Sequence, residues 1–93
     1  MKVVVLASAE RDLSKAAVYY LKHASVRIAQ AFADEFRHAT ELLTDYPEAG
    51  MPVSDQQRVM HFRRFPYSII YRLHADSVVI RAVAHHRRKP SYV

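Results

Sequence analysis

The last twelve residues, AVAHHRRKPSYV (82–93), bring together two imidazoles, two guanidiniums, an ammonium and a phenol. Histidine exchanges protons near neutral pH, so His85 is a candidate acid or base. Arginine grips phosphate or carboxylate oxygens through paired N–H donors, so Arg81 and Arg87 are candidates to hold an anion, with Arg72 beside them if the strands align. Tyr92 offers a ring for stacking or a hydroxyl for proton donation. The same residues also suit docking: Arg63, Arg64, Arg72, Arg81, His85, Arg87, Arg88 and Lys89 make a contact set for an acidic partner. No metal site is expected. His85 and His86 are neighbours on a strand and point to opposite faces. His61 and His74 lie on other strands, and no cysteine or carboxylate cluster completes a ligand set. With one glycine in the chain, a phosphate-cradling glycine loop is excluded, and no cofactor is expected.

These side chains need strands to position them. SVVIRAVAHH (77–86) places Val78, Ile80, Ala82 and Ala84 on one face, and Arg81, Val83 and His85, with Arg87 beyond, on the other. YSIIYRLH (67–74) puts Tyr67, Ile69, Tyr71 and Leu73 on one face and Ser68, Ile70, Arg72 and His74 on the other. Ala75-Asp76 turns the two into a hairpin. RVMHFRR (58–64) reads as an earlier strand, and Pro66 falls at a strand start, where a missing N–H is tolerated. The expectation is a basic, histidine-bearing sheet face with the tail lying beside it.

The first half of the chain supplies the cover. KVVVLA (2–7) is a β-branched run and reads as a strand. Ser8 reads as an N-cap, with Glu10 and Asp12 in the first turn, where the helix dipole favours anions. Leu13, Ala17, Tyr20, Leu21 and Ala24 follow at helical spacing over about 9–23. Ser25 is a second N-cap, and Ile28, Phe32, Phe36, Ala39 and Leu43 form one stripe of a longer helix over about 26–45. DYPEAGMPVSDQQ (45–57), with Pro47, Gly50 and Pro52, reads as a loop. The order β-α-α-β-β-β is an α+β arrangement: a helical hairpin on one face of a small, mostly antiparallel sheet, in a single domain over 1–93.

Charge divides along the chain. Residues 1–57 hold six Lys/Arg against eight Asp/Glu, and residues 58–93 hold eight Lys/Arg against Asp76 alone. A surface for a polyanion or an acidic segment is the natural consequence. Hydrophobic residues make up 51% of the chain, ample for a core. No apolar run approaches the ~20 residues that span a bilayer, and the N-terminal run is too short for a signal peptide. The absence of cysteine fits a reducing cytoplasm.

Nearly the whole chain resembles the RelE/ParE superfamily of toxins from bacterial type II toxin–antitoxin pairs. The residues that carry the resemblance are the helical hairpin, the DYPEAGMP loop and RRFPYSIIYRLHADSVVIRAVAHHRR, with its Phe-Pro-Tyr, Ile-x-Tyr-Arg and Val-x-Ile-x-Ala-Val-x-His-x-Arg patterns. It implies a growth inhibitor held by a cognate antitoxin in a hetero-oligomer, the antitoxin wrapping the toxin with its C-terminal segment. The +7 balance of residues 58–93 adds that this segment should be acidic and amphipathic. Two targets follow from the resemblance. ParE-like members poison DNA gyrase, and RelE-like members cleave mRNA in the ribosomal A site without a metal. Cleavage of that kind needs a base for the 2′-OH, an acid for the 5′-oxygen and cations for the phosphorane. Here His85, the set Arg81, Arg87 and Arg72, and Tyr92 would fill those roles. The RelE-like arginine after the tyrosine that opens the middle strand is Ser68 in this chain. The preceding loop has Gln56-Gln57-Arg58 in place of lysines. The reading therefore leans to the gyrase branch, with a degenerate module that only binds antitoxin as a further alternative.

Overall fold

Three successive valines favour extended backbone, and Lys2–Val5 forms strand β1. In the computed structural model, which describes residues 1–87, it is followed by α1 (Ala7–His23), α2 (Val26–Asp45), β2 (Met51–Ser54), β3 (Gln57–His61), β4 (Tyr67–Leu73) and β5 (Ser77–His85). The sheet order is β1-β5-β4-β3-β2. β1 runs parallel to β5 and the other pairs are antiparallel, so the first strand closes the sheet beside the last. Both helices pack on one face, as the α+β reading expects.

The two helices meet at a sharp corner. The Ala24 N–H still bonds the Tyr20 carbonyl, and Ser25 at once caps α2, its Oγ accepting from the Ile28 N–H at 3.1 Å. The cap expected at Ser8 is not there. The helix starts at Ala7 and the Ser8 hydroxyl donates instead to the Arg81 carbonyl at 2.7 Å. On α1 the buried stripe is Ala9, Leu13, Ala16 and Tyr20, whereas Leu21 and Ala24 face solvent. On α2, Phe32 and Leu43 are buried with Phe36 and Ala39 at the core's margin, while Ile28 lies outside it. The sheet answers with Val3, Val5, Met60, Tyr67, Ile69, Tyr71, Val78, Ile80 and Val83.

The segment read as a loop holds an extra strand. Met51–Ser54 pairs antiparallel with β3, with an irregularity between Pro52 and Ser54. Proline hides such a strand from sequence patterning, but at a sheet edge its missing N–H costs no ladder bond. Gly50, just before it, is required by packing. A Cβ there would lie 2.6 Å from the Tyr71 Oη and 3.0 Å from the Val59 carbonyl oxygen. The Tyr71 hydroxyl donates to the Pro47 carbonyl at 2.9 Å and accepts from the Gly50 N–H at 2.8 Å, fastening the connection after α2 to the sheet. Burial pushes this phenol above its ordinary 10.0, against the lowering pull of the Gly50 N–H and Arg58.

Tyr71→Phe is expected to cost ~1–3 kcal/mol, because it removes both bonds and leaves the buried Gly50 N–H without its acceptor. It should also flatten an alkaline limb. A phenol raised in the folded state leaves stability intact below pH about 10 and erodes it as pH rises beyond. Urea midpoints at neutral and alkaline pH check both effects.

Candidate functional site

The site is shaped by the place where β1 stops. β1 covers one edge of β5 only from Ser77 to Ile80, and α1 then takes over that edge. The Leu6 N–H bonds the Ile80 carbonyl, Ser8 bonds the Arg81 carbonyl, and Asp12 Oδ2 accepts the Val83 N–H at 2.9 Å. Asp12, read from the sequence as a complement to the helix dipole, is a clamp on the strand. An irregularity in the pairing of β5 with β4 lies at the same spot. Ile70 pairs with Ala82 but Tyr71 pairs with Ile80, so Arg81 is an extra residue.

That one residue reverses the facing of everything after it. Val78 and Ile80 face the helices as expected, but so does Val83, while Ala82 and Ala84 turn to the uncovered face. Arg81, His85 and Arg87 therefore do not share the uncovered face, contrary to the strict alternation read from the sequence. The Arg81 side chain lies on that face and donates to Gln57 Oε1 at 2.9 Å. Arg72 pairs with Gln57 on the same face, its Nε buried without a hydrogen-bond partner among the described residues. His85 lies on the helix side, its ring 5.0 Å from Tyr67 and nearly perpendicular to it.

His85 and Arg87 line an open groove of about 900 Å³ between α1 and the end of β5. Its α1 wall carries Asp12, Lys15, Tyr19 and Tyr20. Burial, followed by the neighbouring Tyr67 and Tyr19, raises the Tyr20 phenol, which stays a proton donor through the neutral range. The groove thus combines cations and two tyrosine rings beside the end of β5. Lys15 and Arg87 can hold an anionic group there. Lys15 and Tyr19 were not legible as site residues. They are ordinary surface residues of a helix until the strand end is placed against them.

The remaining basic residues are dispersed. Glu35 on α2 accepts the Arg63 N–H and pairs with Arg64 Nε at 3.5 Å, which ties the 62–66 turn to that helix. Arg88, Lys89 and Tyr92 lie outside the described residues. On the uncovered face, Ser68 is only 6% exposed and sits between two imidazoles, 2.6 Å from His61 Nδ1 and 2.8 Å from His86 Nε2. No helix among the described residues is long and apolar enough to cross a membrane.

Comparison with known proteins agrees with this architecture. No curated protein matches the chain. A solved structure described as the chromosomal ParDE TA system from P. aeruginosa is similar in fold, with a TM-score of 0.79 over 91% of this chain and 95% of that one, at 17% identity. The model of the family described as the ParE toxin of the type II toxin–antitoxin system, parDE, matches residues 3–90, and the chain belongs to that family.

Proposed function

We propose that this toxin acts by binding DNA gyrase, and that an acidic antitoxin segment silences it by occupying the groove between α1 and the end of β5. The observation that carries the choice of target is the separation of the nuclease set. Arg81 is bound to Gln57 on one face, His85 packs on Tyr67 on the other, and Ser68 stands buried where a RelE-like nuclease has its arginine. Arg81 and Arg72, on the opposite side of the sheet, cannot act with His85 on one phosphodiester, which leaves Arg87 as the one arginine of the set beside it among the described residues. A binding surface has no such requirement, since each contact adds affinity wherever the partner reaches it. Gyrase as target also places the toxin in the cytoplasm.

Induction of the chain in growing bacteria should stop growth and reduce plasmid supercoiling, with mRNA left intact in translating extracts. Codon-specific cleavage with normal supercoiling would replace the gyrase reading by the nuclease one. Growth inhibition by neither route would leave a module that binds antitoxin only. The antitoxin interaction has its own signature. Eight Lys/Arg against one acidic residue in 58–93 make an attraction that salt screens. Affinity should fall severalfold between low and moderate ionic strength, measured by titration calorimetry. Salt-independent binding would contradict an acidic segment in a basic groove.

A further inference from the structure

We propose that His61 and His86 form a binding site for a late first-row transition-metal ion, Cu(II) or Zn(II), held on the solvent side of the Ser68 side chain. The two imidazoles reach one point from different elements, His61 from the end of β3 and His86 from the turn after β5. His61 Nδ1 and His86 Nε2 are both within hydrogen-bond distance of the Ser68 Oγ, and their rings stand 5.3 Å apart and nearly perpendicular. Imidazole nitrogen binds Zn(II) at ~2.0–2.1 Å. Both donor nitrogens already converge on one side chain, so rotation of the two exposed rings toward solvent lets them share an ion above it.

The surroundings permit that movement and hold the frame still. Both histidines are exposed, so an ion has a route in. Their backbones are fixed: His61 pairs with Ser68 in the ladder, and the His86 N–H bonds the Pro66 carbonyl at 2.8 Å. The donor set selects the metal. Two imidazoles without a carboxylate suit copper, nickel or zinc rather than magnesium or calcium, and water completes the coordination. His85 takes no part, because its ring packs on Tyr67 on the opposite face. The sequence pattern separates His85 from His86 correctly, but it cannot show that β3 delivers His61 to the same spot. A bound ion would clip β3 to the turn from which the basic end of the chain departs.

Purified chain titrated with Cu(II) or Zn(II), by calorimetry and by electron paramagnetic resonance for copper, tests the site. One equivalent should bind, Cu(II) more tightly than Zn(II), with the copper spectrum showing two coupled nitrogens. His61→Ala and His86→Ala should each weaken binding by about 10–100-fold or more, with unchanged circular dichroism. His85→Ala should bind as the parent does, and Ser68→Ala at least as tightly. Equal binding by the parent and both single alanine variants would overturn the proposal. A loss in His85→Ala matching that in His86→Ala would do so too, by assigning the ion to the adjacent pair.

Discussion

Phe32→Ala should destabilise the domain by ~3–5 kcal/mol, the range for deleting a fully buried aromatic. Phe32 is 1% exposed. It stacks on Phe62 with ring centres 4.9 Å apart and meets Phe65, Tyr67 and Tyr20 edge-on or tilted at 5.1–5.6 Å. These rings come from α1, α2, the 62–66 turn and β4, so one truncation opens a cavity where four parts of the chain meet. Aromatic pairs of this kind add ~0.5–1.5 kcal/mol beyond the area they bury. Phe36, one turn on and only half-buried, should cost less when truncated. Urea unfolding of the two variants gives the comparison. A Phe32→Ala loss below about 1 kcal/mol, or a larger loss at Phe36, would show that the helical hairpin is held to the sheet by other contacts.

The core stripe was visible because α2 follows a 3.6-residue period and nothing interrupts it. Phe32, Leu43, Ile69, Val78 and Ile80 are all where periodicity puts them. The Ser25 cap was visible because its hydroxyl has a local partner three residues on. Ser8 failed the same test because its hydroxyl bonds a residue 73 positions away, and a distant acceptor leaves no trace in local sequence. β2 was hidden because Pro52 signals a break, and only pairing with β3 makes the segment a strand.

The largest error lay at the candidate site itself. Strand alternation is a rule of period two, and a single inserted residue inverts it. Arg81 gives no local sign of being that residue. Its extra position becomes apparent only when Ile70 and Tyr71 are matched to Ala82 and Ile80. The residue types for the site were therefore legible, and their grouping was not. Asp12, which captures the Val83 N–H, and Ser8, which donates to the Arg81 carbonyl, join α1 to the bulged strand.

The second large effect concerns the groove. His85→Ala together with Arg87→Ala should abolish or sharply reduce growth inhibition while the domain stays folded, since both side chains line the open cleft rather than the core. Single changes distinguish mechanism. In a gyrase poison each should weaken the toxin by the modest factor of one lost contact, with Arg87 mattering at least as much as His85. In a nuclease, His85→Ala alone would remove a proton-transfer group and lower the rate by ~10²–10⁴-fold. A dominant His85 effect would thus argue for catalysis, and comparable effects at both positions would argue for binding.

The most direct measurement is a supercoiling assay with purified gyrase, the purified chain and its His85→Ala, Arg87→Ala double variant. The expected result is inhibition by the parent chain, relieved by an acidic antitoxin segment, and little or no inhibition by the folded double variant. Undiminished supercoiling with the parent chain, or full inhibition by the double variant, would contradict a gyrase-directed toxin that works through this groove.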